Sequence, residues 1–245
     1  MLKTISFDFD GTLADDGDSI VAALDAACQI VCQRWPGFDA ANLAELYRQF
    51  SDRAWSDFDT HLRHLSSPEA MLAVVWHQTL TSLGVEDTKV ENAAAETYWY
   101  SRLQHCRPYD DVVPLLHVLV RRFPLCLLTN GSPAMQRAKC TASGLEPFFR
   151  YVFVGGEFAR GKPDPLMFRA ALEAIPCQPA EAVHIGDSLT HDIAGARNMG
   201  INSVWLNRKG TQRTDGAAGI ESTPNFEITM LDQLLDCIAA MSTED

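Results

Sequence analysis

The chain has 245 residues, 47% of them apolar and 21% charged, enough to bury one large core or a core domain with a smaller one inserted. Its 32 acidic residues outnumber 20 basic ones, for a formal charge of −12, which argues against a partner that is a nucleic-acid polymer, since phosphate backbones reward Lys and Arg. No run reaches the ~18 apolar residues of a membrane-spanning helix, and Asp8 and Asp10 interrupt the opening apolar stretch, so no secretory signal is read there. Seven cysteines without C-x-x-C spacing suit reduced packing residues in a cytoplasmic protein.

In chain order, Thr4 to Phe9 reads as the first strand, with Ile5, Phe7 and Phe9 on one face and Asp8 delivered at its carboxyl end. From about Asp16 to Arg107 no strand is legible. Helices are expected at Ser19 to Trp35, Ala40 to Phe50, Ala54 to Leu65, from Ser67-Pro68-Glu69 to Gly84, and from Asp87 to about Gln104. A purely helical block of roughly 90 residues is too long for an ordinary crossover. It predicts an inserted helical domain over residues 16–107, with Asp15-Asp16-Gly17-Asp18 and Cys106-Arg107-Pro108-Tyr109 as linkers. Beyond it come a helix from near Asp110 to Arg122, a strand at Leu125 to Leu128, and a helix from Ser132-Pro133 to Gly144. Strands at Tyr151 to Val154, Ala182 to Ile185 and Ser203 to Leu206 alternate with helices from Pro165 to before Pro176 and up to Met199. An exposed loop, Lys209 to Asn225, and a helix at Leu231 to Met241 close the chain. The alternation predicts an α/β core, a Rossmann-like parallel sheet covered by helices, formed by residues 1–15 and 108–245.

Four segments carry chemistry. Asp8-Phe9-Asp10-Gly11-Thr12 follows the first strand, Leu127-Leu128-Thr129-Asn130-Gly131 ends the second, Gly161-Lys162-Pro163 precedes a helix, and Gly186-Asp187 with Asp192 follows the fourth strand. Parallel sheets bind ligands beyond the carboxyl ends of their strands, so Asp8, Asp10 and Asp187 are expected in one small site. Two bare carboxylates about 4 Å apart repel by roughly 4 kcal/mol at an effective dielectric of 20. Such a cluster needs a hard divalent cation, and magnesium, which pairs one or two carboxylates with waters and phosphate oxygens, is the natural choice. Lys162 adds positive charge that keeps Asp8 ionised and meets an incoming phosphate. Thr129 offers a hydroxyl, and the Asn130 and Gly131 amides can face phosphate oxygens near a helix start. A calcium loop is excluded, because Ser19 stands where its glutamate would be.

Together these motifs resemble the haloacid dehalogenase superfamily, and the helical insertion resembles the cap of its first subclass. The resemblance implies an aspartyl-phosphate mechanism. Asp8 is the nucleophile, Asp10 protonates the leaving alkoxide and later deprotonates water, and Lys162 stabilises the transferring group. It further implies a magnesium ion held by an Asp8 carboxylate oxygen, the Asp10 carbonyl and Asp187, with phosphate bound by Thr129, Asn130, Gly131 and Lys162. Asp192 is expected behind them, positioning Lys162. Expelling a halide needs no proton and the family's dehalogenases lack an acid at the Asp10 position, so a phosphatase is read over a haloacid dehalogenase.

A phosphomutase of the same fold and a non-catalytic phosphate-binding module are the other readings. Thr129-Asn130-Gly131 resembles the second motif of members acting on nucleoside monophosphates, flavin mononucleotide or acylated sugar phosphates; phosphoglycolate and simple sugar phosphates stay open. The segment Gly17 to Arg107 holds seven basic and twelve acidic residues, which suits a small phosphorylated metabolite as the partner rather than a polyanion. His61, His64, His77 and His105 lack zinc-ligand spacing. Trp55, Trp76 and Trp99 are read as cap core, and Arg53, Arg63 and Arg102 either as substrate-recognition groups or as ordinary surface arginines. The chain is expected to act as a monomer or homodimer.

Overall fold

Six short strands carry the core: β1 (Thr4–Phe7), β2 (Leu125–Thr129), β3 (Tyr151–Val154), β4 (Ala182–Gly186), β5 (Asn202–Leu206) and β6 (Phe226–Ile228). The computed structural model describes residues 1–211 and 223–241. All five pairings are parallel, in the order β3-β2-β1-β4-β5-β6. The near-continuous apolar strands suit a sheet covered on both faces, and β1, β2 and β4 are buried throughout. The sheet is the α/β architecture the sequence predicts. Ile5 pairs with both Leu125 and Val183, so β1 lies at the middle and delivers Asp8 between the ends of β2 and β4.

The chain divides into two compact units. One comprises Met1–Asp15, Arg107–Gln136 and Ser143–Asp245; the other comprises Asp16–Cys106 and Arg137–Ala142. The second unit is helical: α1 (Asp16–Arg34), α2 (Ala40–Ser56), α3 (Phe58–His61), α4 (Pro68–Thr81) and α5 (Thr88–His105). Asp39, Ser67 and Asp87 cap α2, α4 and α5 by accepting main-chain N–H bonds in the first turn. Tyr47, Trp76 and Tyr98 pack as one aromatic cluster, with ring centroids 4.6 and 5.2 Å from Tyr47.

Two expectations are corrected here. The helices drawn at Ala40 to Phe50 and Ala54 to Leu65 are not separated there, because α2 runs unbroken through Ser51-Asp52-Arg53 and the next helix is only one turn long. That polar run is the outer face of a helix, with Asp52 and Arg53 exposed and Ala54 buried. Arg102, expected at the surface, is buried.

The remaining helices are α6 (Val112–Leu119), α7 (Pro133–Ala142), α8 (Pro165–Ala174), α9 (Ala194–Asn198) and α10 (Leu234–Met241). A single π-helical turn, Leu189–Ile193, leads into α9. β1 ends two residues earlier than Phe9, and β6 was not anticipated. Part of the loop expected at Lys209 to Asn225, residues 212–222, lies outside the described residues. No helix among the described residues is long and apolar enough to cross a membrane.

At the start of α1, within the helical unit, Asp16 accepts from the buried Arg102 guanidinium and from Lys139 at 3.4 Å. Arg102 also donates to the Asp16 carbonyl at 2.9 Å and to Ser19 at 2.6 Å. Burial opposes the charge on Asp16, but the Lys139 ammonium and the Arg102 guanidinium outweigh it and hold its pKa at about 2. A depressed carboxyl pKa stabilises the fold above the unfolded value and loses that contribution as pH falls toward the folded one. Asp16→Asn is therefore expected to cost about 2 kcal/mol in urea unfolding at neutral pH. The gap from wild type should shrink by about half near pH 3; a gap independent of pH would show that the charge is not its source.

Candidate active site

β1 ends at Phe7, so Asp8 emerges with its main-chain N–H on the Ile185 carbonyl of β4, 2.9 Å away. Asp8 as a residue is 7% exposed. Lys162, 4% exposed, places Nζ 2.6 Å from Asp8 Oδ1, from Asp192 Oδ1 and from the Leu128 carbonyl. An ammonium has three hydrogens and no acceptor, so each hydrogen has its own oxygen and the side chain joins the ends of β1, β2 and β4. Asn130 sets the loop that carries it: its amide donates to the Lys162 carbonyl at 2.9 Å and accepts from the Lys162 N–H at 2.7 Å.

Asp192 is reached because Gly186 has no side chain; a Cβ there would overlap the Asp192 carboxyl. Its Oδ2 accepts from the Ser188 N–H at 3.0 Å, and its Oδ1 takes His184 Nε2 at 3.2 Å beside Lys162. His184 is fully buried, and its Nδ1 lies 2.9 Å from Ser6 Oγ, its direct cross-strand partner in β1. Asp187 stands at the end of β4 with its carbonyl held by the Trp205 indole at 2.8 Å. Gly11, at φ +78°, permits the turn after Asp10 and its approach to Asp187, since a Cβ would sit 2.6 Å from Asp187 Oδ2.

Charge follows from this packing. Burial pushes the Asp8 carboxyl well above its usual pKa, and the neighbouring Asp192 and Asp187 add to the rise against the pull of Lys162. Burial would also raise Asp192, yet Lys162 and His184 hold it well below. For Lys162 burial favours the neutral amine, and the two carboxylates reverse that and raise its pKa. Burial keeps His184 neutral by lowering its pKa. Asp187 has solvent on one side, but the strand ends crowding it and then the charge of Asp192 lift it to about 6.

Carboxylate oxygens of Asp8, Asp187 and Asp192 lie within 4.8 Å of one another. Three carboxylates face one ammonium, an excess of two negative charges suited to a divalent cation with oxygen ligands. Asp8 and Asp187 are the two carboxylates expected around an ion, and Asp192 joins them in the grouping. Both Asp192 oxygens are already engaged by Lys162, His184 and Ser188, so Asp8 and Asp187 are the carboxylates best placed to hold an ion. Asp10 turns elsewhere: its Oδ2 accepts from Gln136 Nε2 at 2.8 Å, and the same nitrogen reaches Thr129 Oγ1. Asp8, Asn130, Lys162 and Asp192 are thus joined by short contacts, and Asp10 is linked to Thr129 through Gln136. Sequence reasoning missed Gln136, His184 and Ser6. The available signal was polar residues on buried faces: Gln136 and Lys139 share helical spacing with Met135 and Cys140 in α7, and all four are buried.

The geometry has a counterpart in known proteins. Residues 2–200 match the family described as haloacid dehalogenase-like hydrolase. The chain belongs to that family. Among curated haloacid dehalogenase-like relatives, it is 27% identical over 246 residues to glyceraldehyde 3-phosphate phosphatase of Methanopyrus kandleri, covering all of both chains. It is 26% identical to human N-acylneuraminate-9-phosphatase, covering 99% of this chain and 98% of that one. The solved structure of 2-haloacid dehalogenase from Pseudomonas syringae pv. Tomato DC3000 superposes with a TM-score of 0.71 at 26% identity, over 98% of this chain and 99% of that one.

Removing Lys162 would leave two buried carboxylates facing each other. Lys162→Met should lower stability by about 3–5 kcal/mol in urea unfolding at neutral pH. Adding Asp192→Asn in the same chain should recover part of the loss, since one buried charge is then gone; equal stability of Lys162→Met and wild type would refute the electrostatic reading.

Proposed function

We propose that the chain is a magnesium-dependent phosphatase that hydrolyses a small phosphate monoester through an aspartyl-phosphate on Asp8. The observation that carries the proposal is the buried Asp8 carboxylate at the mouth of the sheet, bonded to Lys162 and within reach of Asp187. A second carboxyl, Asp10, follows two residues later and is held by its own amide donor. Two nearly full-length relatives bear the names of phosphatases. The structural likeness to a dehalogenase accounts for the scaffold, but displacement of a halide would leave Asp10 without a task.

Residues of this chain divide the work. The Thr129 hydroxyl, with the Asn130 and Gly131 amides, binds and orients the phosphoryl oxygens, and Lys162, bonded to Asp8, contributes its positive charge beside them. An Asp8 oxygen attacks phosphorus, the bond from phosphorus to the ester oxygen breaks, and Asp10 gives its proton to the departing alkoxide. Asp10 then takes a proton from water, whose oxygen bonds to phosphorus as the Asp8–phosphorus bond breaks and inorganic phosphate leaves. Asp8, Asp187 and, as the family resemblance implies, the Asp10 carbonyl would hold a magnesium ion, which when bound would supply positive charge to keep Asp8 ionised and to offset charge on the transferring group. Asp192 and His184 act behind Lys162, fixing its position.

The substrate class rests on the relatives, whose names point to small phosphorylated metabolites. A panel containing glyceraldehyde 3-phosphate, N-acylneuraminate 9-phosphate, pyrimidine nucleoside monophosphates and phosphoglycolate is expected to yield inorganic phosphate from at least one member. Release should need magnesium but no bisphosphate activator, which a phosphomutase would require, and a chelator should abolish it reversibly. Asp8→Asn should retain less than about 1% of the rate. Phosphate release by that variant at near wild-type speed, or none from any ester by the wild type, would overturn the assignment.

A further inference from the structure

We infer that Gln136 is a positioning residue for proton transfer, fixing Asp10 and Thr129 in the orientations the reaction needs. The inference rests on the reading of Asp10 as proton donor given above. Gln136 lies one turn into α7 and is 5% exposed, so its amide has lost water on nearly every side. A primary amide nitrogen carries two hydrogens. Here both are used: Nε2 is 2.8 Å from Asp10 Oδ2 and within hydrogen-bond distance of Thr129 Oγ1, which is itself buried. The amide's orientation is set by chemistry, because its oxygen would face a carboxylate oxygen if the group were reversed.

Each contact restricts what its partner can do. With Asp10 Oδ2 occupied as an acceptor, the proton that Asp10 transfers is carried on Oδ1. With a lone pair of Thr129 occupied by the amide, the hydroxyl acts as a donor, to the Asn130 carbonyl at 3.4 Å here and to a phosphoryl oxygen once one is bound. Asp10 follows β1 and Thr129 ends β2, and these strands pair in register from Ile5 with Leu125 to Phe7 with Leu127. One side chain from α7 therefore sets the relative orientation of the acid and the phosphate-binding hydroxyl. Such orientation acts in the transition state more than in binding.

The test compares two esters that differ in their need for an acid. Phenyl phosphate has a basic leaving group that departs poorly without a proton, whereas para-nitrophenyl phosphate leaves well without one. Gln136→Met keeps the shape and removes the amide; Gln136→Asn keeps the amide but withdraws it by a methylene, and serves if the first variant folds poorly. Each is expected to lower kcat on phenyl phosphate by about 10- to 100-fold, and on para-nitrophenyl phosphate by less than about threefold, with KM within about twofold. Asp10→Asn, measured alongside, should show the same ordering with a larger loss. Equal losses on both esters, a loss in KM alone, or no loss would overturn the role of Gln136 while Asp10→Asn keeps its ordering. Equal losses in Asp10→Asn itself would instead overturn the assignment of Asp10 as the acid.

Discussion

The ammonium of Lys162 is the constraint on which the rest of the site depends. Three oxygens from three different chain segments converge on it at 2.6 Å, and with 4% exposure it has almost no water to replace any of them. A buried ion pair of this kind adds little net stability over an apolar substitute, because two desolvation costs oppose its attraction. Its value is in placement. By satisfying all three hydrogens of the lysine, the segments after β1, at β2 and after β4 are fixed relative to one another. Asn130 closing on the Lys162 main chain, and Gly186 yielding space to Asp192, both serve that convergence.

The arrangement leaves an excess of negative charge, and that excess is the functional content. Lys162 is shared between Asp8 and Asp192, and Asp192 is the one held firmly ionised, aided by His184 and the Ser188 N–H. Asp8 is left with its pKa raised. Under the function we propose, a hard divalent cation shared with the neighbouring Asp187 would supply the positive charge that ionises it. Ser6 and His184 sit beneath this as a neutral support. With Nε2 donating to Asp192, Nδ1 is left to accept from the serine, which fixes the tautomer as well as the ring.

Much of this was legible in the residues. Apolar runs four to six residues long, alternating with capped helical stretches, led to the parallel sheet, and aspartates at strand ends led to the site. What escaped did so for physical reasons. β6 is three residues, Phe226–Ile228, too short for its alternation to stand out beside a polar loop. Ser51-Asp52-Arg53 looked like a break, whereas a helix can carry such a run on its solvent face. His184 and Ser6 interrupt apolar strands, and only the β1–β4 register brings them face to face. Gln136 lies seven residues beyond Thr129 in a helix rich in polar residues, and no local pattern reveals that its amide turns back to Asp10. For β6, for Ser6 with His184 and for Gln136, the missing information is a pairing that exists only once the sheet has formed.

Chemical trapping of the covalent state tests the central claim most directly. The protein would be acid-quenched during magnesium-supported turnover of para-nitrophenyl phosphate, then reduced with borohydride, which converts an aspartyl acyl phosphate to homoserine. The account predicts homoserine at position 8, found by mass spectrometry of the peptide bearing it and only when ester was present. Turnover that leaves position 8 as aspartate, or that places the reduced residue at Asp10, Asp187 or Asp192, would contradict it.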